Sequence, residues 1–581
     1  MPRLPLAACA ILILASGAAL ADAAKSPPAT QTASAQTDSA QTDSAGAYLA
    51  ARQAAATDDF QAAVQWYDRA IAADPGNPTL LEGDVTAHLA VGDIDGAATQ
   101  ARLLAATGSK SQIGYMAILA ANARAADYAT ILKDGQSGNS IGALVDGLVM
   151  AWAEVGTGKM AQALADFDKI SATSGMQAFG LYHKALALAM TGDYEGADKL
   201  LSGPGAEAIS HLRRGVIARV QILSQLERNP DAVALIDKLF GPQLDDGLAD
   251  LRRRLVAGEP IAFTAATSAS DGLAEVFFTV ATALGDQADD TYILLYARVA
   301  AALRPGHVEA ALMSARILQK LKQYDLATVA YATIPPGDAA YVSAQIGQAD
   351  AAISAGRVDD AVALLQKLAS AKPGDIDVQT ALGDALHRQD QCAKAVTAYD
   401  AAITILGTPA PGNWPLFYKR ANCQISIGNW PAAEADYRRA LTLDPNEPRL
   451  LNELGYSYVD RGQNLDEALK MIQSAVAGSP DTGYIVDSLA WAYFRMGRYQ
   501  DAVPPMEKAS LLMPIDPIVT DHLGDVYWQV GRKREAQFQW HRALSFKPED
   551  KDATRIRHKL EVGLDQVLQE EKLAVPATNG G

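Results

Sequence analysis

The sequence predicts an all-α protein, a right-handed α-solenoid superhelix of about thirteen or fourteen stacked helix hairpins closed by a carboxyl-terminal capping helix. Three observations predict it. Apolar residues recur at three- and four-residue steps, which is one face of a helix. Near the carboxyl end the pattern returns at a fixed interval, with Pro480, Pro514 and Pro548 spaced 34 residues apart. The 581 residues are 49% hydrophobic and 20% charged, a globular balance that excludes wholesale disorder.

Charge and composition exclude further classes. Lys plus Arg is 50 against 67 Asp plus Glu, a net charge of −17. Nucleic-acid binding needs positive charge to neutralise phosphate, so no nucleic-acid partner is expected. With 45 Gly and 3 Cys, neither a collagen-like chain nor a disulfide scaffold fits.

Residues 1–21 read as a signal peptide. Arg3 precedes an apolar run from Leu4 to Leu20, and Ala19-Leu20-Ala21 offers small residues for cleavage after Ala21. Leu6-Ala7-Ala8-Cys9 resembles a lipobox, but the apolar run continues past Cys9, which places that cysteine in the signal core. The expected location is periplasmic, with membrane association only if the signal stays uncleaved or is lipidated. Residues 22–45 repeat AQTDS and carry no large apolar side chain, so a disordered low-complexity leader is expected.

The repeating unit is clearest from Leu451 onward. Leu454, Leu489 and Leu523 are each followed by a small residue, Gly455, Ala490 or Gly524. Tyr458, Tyr493 and Tyr527 follow, and Gly462, Gly497 and Gly531 end the first helix. Ala468, Ala502 and Ala536 open the second helix at positions that allow close approach, and proline terminates the unit. One hairpin cannot cover its own apolar face, so neighbours must stack. Residues 271–548 are expected to form the regular carboxyl-terminal array and 46–240 a degenerate amino-terminal one, with an irregular joint at 241–270. Residues 549–572 read as a capping helix and 573–581 as a disordered tail.

The interval, the Leu-Gly-x-x-Tyr core and the closing proline resemble the tetratricopeptide repeat family. The whole plan of signal, tether and long array resembles Gram-negative envelope adaptors. The resemblance implies a non-enzymatic scaffold that mediates protein–protein interactions in the bacterial cell envelope and holds one or more envelope proteins. Two narrower roles stay open: an assembly factor for exported polysaccharide or outer-membrane components, and an accessory factor delivering substrates to a periplasmic processing protease.

In this family the first helices of successive repeats line a concave groove. Carried over position by position, the groove residues are Tyr418, Asn422, Asn452, Tyr456, Tyr484, Asp487, Trp491, Phe494, Arg495, Asp521, Asp525 and Trp528. Trp491 and Trp528 are expected to be hot spots, since aromatics dominate binding energy at interfaces. Tyr418 and Glu453 stand where chaperone-binding repeats carry Lys and Asn, so that activity is not implied.

No catalytic signature is present, and neither a cofactor nor a metal is expected. The eight His residues are scattered, and Asp58-Asp59 and Asp289-Asp290 sit at helix starts, where carboxylates stabilise the amino terminus. Cys392 and Cys423 fall near the same end of adjacent hairpins, as a disulfide pair or as core filler. From Gln529 to Leu560 nine Lys or Arg face four Asp or Glu, either a solvated cap or a docking patch for an acidic partner.

Overall fold

The computed structural model describes residues 35–242 and 244–574. Among them every regular element is a helix, from Ala35–Ala56 to Leu564–Ala574. The signal segment, the start of the leader and the last seven residues lie outside the described residues. Helix Ala35–Ala56 begins within the stretch expected to be unstructured. Its Ala47, Ala51 and Ala54 are buried in one cluster with Ala63 and Tyr67 of helix Phe60–Ala73, and alanine propensity extends the helix toward its amino end.

Short polar residues start the helices. Asp59, Asn77, Asp93 and Asp516 each accept a backbone N–H from the first turn through their side chains. The reversal between the helices of a hairpin needs a left-handed residue. Gly428, Gly497 and Gly531 supply it in the regular repeats. In repeats that lack the glycine, Asp58, Ala126, Glu227, Lys322 and Asp390 take the same positive φ. The degenerate units therefore keep the turn and absorb the strain. The small residue after the recurring leucine sets the helix spacing. A Cβ on Gly383 would lie 2.4 Å from the Tyr399 ring, and one on Gly524 would lie 2.4 Å from Trp540 Nε1.

The chain divides into two compact units that meet between Leu364 and Leu365. In the first, helix Ala269–Leu284 is buried on every side from Gly272 to Ala281. A helix that is apolar all round must lie inside a core. It packs, with helix Asp290–Leu303, against helices of the first array rather than opening the second, as the repeat pattern suggested. Gly272 meets Trp152 of helix Ala143–Gly156, and Arg298 donates to the Ala90 carbonyl at 3.0 Å. Buried polar groups tie this inner helix down. Trp152 Nε1 donates to His183 Nδ1 at 3.1 Å, so His183 holds its proton on Nε2, 3.3 Å from Thr279 Oγ1. Burial lowers the His183 imidazole to about 3 and keeps it neutral. Glu275 accepts from Tyr182 and Arg214, with His307 Nε2 3.3 Å away. Burial alone would raise the Glu275 carboxyl, but the charges and hydrogen bonds of Arg214 and His307 together outweigh it and hold the group well below the carboxylate range.

The stretch expected as a joint contains helix Asp246–Val256 and then an irregular run. That run lies along helix Arg213–Gln225, which satisfies its backbone. Ile261 N donates to Ser224, Thr264 N donates to Gln221, and Gln225 donates to the Ile261 carbonyl. Arg304 donates to the Thr264 and Ala265 carbonyls at 2.6 Å.

In the second unit the first helices are Ile376–Arg388, Trp414–Ser426, Pro448–Arg461, Gly483–Arg495 and Pro517–Gln529. The expected single cap is two helices, Asp550–Val562 and Leu564–Ala574. They break at Gly563, where φ is +86° and a Cβ would lie 2.7 Å from the Trp528 ring.

Ala126 is exposed and holds φ +55°, a conformation that costs an L-residue about 1–2 kcal/mol. Ala126→Gly should raise stability by up to about 1 kcal/mol after the added unfolded-state entropy is subtracted. Urea unfolding of the two proteins side by side checks it; a lower midpoint for the glycine variant would contradict the strain.

Candidate partner-binding surface

The residues expected in a groove separate into three groups. Tyr418, Asn422 and Tyr456 are half-buried on the first-helix face, while Tyr484, 40% exposed, and Arg495 stand open to solvent. Tyr418 packs edge-on against Trp414 at 6.0 Å, and Arg449 lies 5.3 Å above the Trp414 ring. Asn422 Oδ1 accepts the Tyr437 hydroxyl at 2.6 Å. Burial raises the Tyr418 hydroxyl, pushes that of Tyr456 up to about 12 and raises the Glu453 carboxyl between them. Arg495 donates to the Asp460 carbonyl at 3.1 Å. This is a continuous aromatic and polar strip across three first helices.

The second group is interior. Asn452 is buried, with Oδ1 unpartnered. Trp491 is 8% and Phe494 5% exposed, and their rings stack at 4.7 Å. Trp491 also stacks on His522 at 3.9 Å, whose Nδ1 bonds both Asp487 oxygens at 3.0 and 3.1 Å. Burial alone would lower the His522 imidazole; the Asp487 carboxylate and the Asp521 and Asp525 charges raise it instead. Trp491 therefore packs across the last two repeats, and both it and Phe494 are largely withdrawn from solvent.

The third group is covered by the chain's own carboxyl-terminal helices. Lys559 is fully buried, and its Nζ lies 2.6 Å from Asp521 Oδ1 and from Asp525 Oδ1. Arg555 reaches Asp525 at 3.4 Å, and Trp540 Nε1 donates to Asp525 at 2.9 Å. Burial, then the Asp525 charge, raises the Asp521 carboxyl above the ordinary range, with Lys559 opposing. Trp528 donates to Asp565 at 3.0 Å beneath Gly563. Much of the basic cluster is thus spent internally, with Arg532 bonded to Glu507 and Glu535 and Lys533 lying over Trp528.

The sequence reading missed Lys559 and His522. A signal for Lys559 exists: Ala553, Ile556 and Lys559 share one helix stripe at three-residue steps, so a lysine occupies an apolar-face position. Cys392 and Cys423, the candidate disulfide pair, are buried free thiols whose sulfurs lie within 4.8 Å of each other and of a His387 ring nitrogen.

Residues 344–413 and 413–554 match family models described as tetratricopeptide repeat. This chain carries tetratricopeptide repeats. Over 212 residues it is 32% identical to a TPR repeat-containing protein of Pseudomonas aeruginosa, covering 36% of this chain and 35% of that one. It is 21% identical over 212 residues to human aspartyl/asparaginyl beta-hydroxylase, covering 34% of this chain and 27% of the hydroxylase. The chain thus spans about a third of the length of the curated relatives it matches. Among solved structures, yeast Tom70 aligns over 93% of this chain and all of its own, at 14% identity and a TM-score of 0.34. A tetratricopeptide repeat protein from Parabacteroides merdae aligns over 44% of this chain and 98% of its own, at 17% identity and a TM-score of 0.36.

Two predictions follow from the closed repeats. Trp491→Ala should cost about 3–5 kcal/mol of stability, the cost of truncating a core aromatic, read as a shifted urea midpoint. A change below about 1 kcal/mol would return Trp491 to the surface. The second concerns pH. His522 binds its proton more tightly folded than unfolded, where its pKa is about 6.5, so its contribution is complete below that value and is lost as pH rises through the folded pKa. The thermal midpoint should fall as pH rises above about 6.5, and His522→Asn should flatten that slope. An unchanged slope would contradict the Asp487–His522 pair.

Proposed function

We propose that the protein is a non-enzymatic scaffold that holds a protein partner along the first-helix strip of Tyr418, Tyr456, Tyr484 and Arg495. The observation that carries this reading is subtraction. Own-chain helices close the last repeat, and Ala269–Leu284 fills the first unit, while this strip keeps half-buried aromatics and charged side chains facing outward. Tyrosines held by packing supply large contact area at low ordering cost, and Arg449, Arg495 and Glu453 add charge of both signs around them. Tetratricopeptide repeats bind peptides or proteins, and the match over 344–554 covers the strip.

We place the partner in the bacterial envelope. The support is the amino-terminal sequence: one basic residue, an apolar run to Leu20 and a small-residue cleavage site at Ala21. The partner is read as an envelope protein with an extended segment that lies across the helices, its acidic and aromatic side chains meeting Arg449 and Arg495.

A photo-crosslinking residue placed at Tyr484 in living cells should trap a protein from the envelope fraction, and the same residue at Leu511 should not. Tyr418→Ala with Tyr484→Ala should cut capture at a third strip position at least tenfold and move the urea midpoint by less than about 1 kcal/mol. Equal trapping from both positions, or adducts from the cytoplasmic fraction alone, would remove the reading.

A further inference from the structure

Helix Pro78–Val91 departs from the repeat rule at two core positions. Eight residues before the turn glycine, the regular repeats carry Leu454, Leu489 and Leu523; four before it they carry Tyr458, Tyr493 and Tyr527. Counted back from Gly92, the same positions hold Asp84 and His88. Two ionisable residues thus stand where a leucine and an aromatic belong.

The structure buries them as that register requires. Asp84 is 0% exposed, and neither carboxylate oxygen has a hydrogen-bond partner. A buried carboxylate without donors is among the costliest arrangements a core can hold. His88, also buried, has Nδ1 2.9 Å from Asp93 Oδ2. A carboxylate only accepts, so Nδ1 carries a proton toward Asp93, and Nε2 is turned to the opposite side of the ring. Nε2 points at Asp84 Oδ1, 3.6 Å away. Asp68, from helix Phe60–Ala73 of the preceding hairpin, brings a third donor, and all three donor atoms lie within 4.8 Å of one another. Asp68 itself is exposed, at the open side of the cluster. Arg298, on helix Asp290–Leu303, is directed to the Ala90 carbonyl.

We infer that Asp84, His88 and Asp68 form a site for a divalent cation of the zinc class, with Asp93 as the positioning residue that fixes the His88 tautomer. Metal–ligand bonds of about 2.0–2.2 Å set donors about 3–3.5 Å apart, close to the Asp84–His88 separation, and the exposed Asp68 side chain can close the remainder. One imidazole and two carboxylates suit a borderline cation, and the open side leaves the fourth position to water. The Nδ1–carboxylate bond from His88 to Asp93 is the outer-sphere partner that metal-bound histidines keep. The cation would neutralise the buried Asp84 carboxylate, whose two oxygens have no hydrogen-bond partner. It would also clamp the first two hairpins together, since its ligands come from both.

The test uses the full chain in a Cys392→Ser, Cys423→Ser background, which removes the thiols as competing ligands. After chelator treatment, Zn²⁺ alone is titrated by calorimetry at neutral pH. One equivalent is expected to bind and to raise the melting temperature. Asp84→Leu restores the apolar residue of the regular repeats; it should fold and bind at least a hundredfold more weakly, as should His88→Gln. Asp93→Asn keeps an N-cap side chain and should weaken binding ten- to a hundredfold without abolishing it. Binding of Zn²⁺ to Asp84→Leu with parental affinity would overturn the site. So would absence of binding in the parent, which would make the cluster an ion pair only.

Discussion

A helix hairpin of this kind has more apolar surface than its own two helices can cover. One flank is buried on the preceding hairpin and one on the next, and the inner face needs an occupant or a polar coat. That constraint governs both units. In the first, the largely apolar helix Ala269–Leu284 enters among the helices of the array, and Gly272 is bare because the Trp152 ring occupies the space a side chain would take. In the second, the last repeat is closed by the chain folding back at Gly563, which brings Leu564 into the core beside Trp528. Both closures rest on one glycine facing one tryptophan.

Buried charge follows from the same closures. Carrying Lys559 inside is tolerable because Asp521 and Asp525 surround its ammonium, and removing one partner of such a cluster costs about 3–5 kcal/mol. Glu275 is likewise held by Arg214 and Tyr182, and His183 stays neutral between an indole donor and a threonine hydroxyl. These sites fix which helix lies where, since an apolar interior alone would tolerate sliding by a turn. Asp84 has no hydrogen-bond partner, only the His88 ring nitrogen 3.6 Å away, and so stands apart from Asp521, Asp525 and Glu275.

The regular repeats were legible because each position answers to one local cause: a glycine for the reversal, a small residue for close approach, a proline for the stop. The degenerate ones were harder to read because Ala126, Glu227 and Lys322 occupy the turn without advertising it. Helix Ala269–Leu284 looked like the first helix of a further repeat, since apolar residues at three- and four-residue steps are there. What the spacing does not encode is that the remaining faces are apolar as well because other helices cover them. Trp491, Phe494 and Trp528 are expected on an open groove face, yet their rings pack against the chain's own side chains. Their partners His522 and Asp565 come from later in the chain, and only three-dimensional packing places them against the rings. The same holds for Lys559, whose stripe position announces burial but not the two aspartates it meets.

Closure by the chain itself also shapes what is left for others. Within the second unit, packing among neighbouring helices fixes the side chains of the strip. Tyr418 is wedged against Trp414 and Tyr437, and Asn422 is pinned by the Tyr437 hydroxyl. These side chains lose little freedom when something lands on them, so less of the contact energy is spent on ordering. A floppy strip of the same composition would present the same atoms at a higher entropic cost. In the proposed scaffold the interior aromatics of the last repeats would act without touching a partner: by packing helix Gly483–Arg495 against Pro517–Gln529, they position Tyr484 and Arg495 on the open edge.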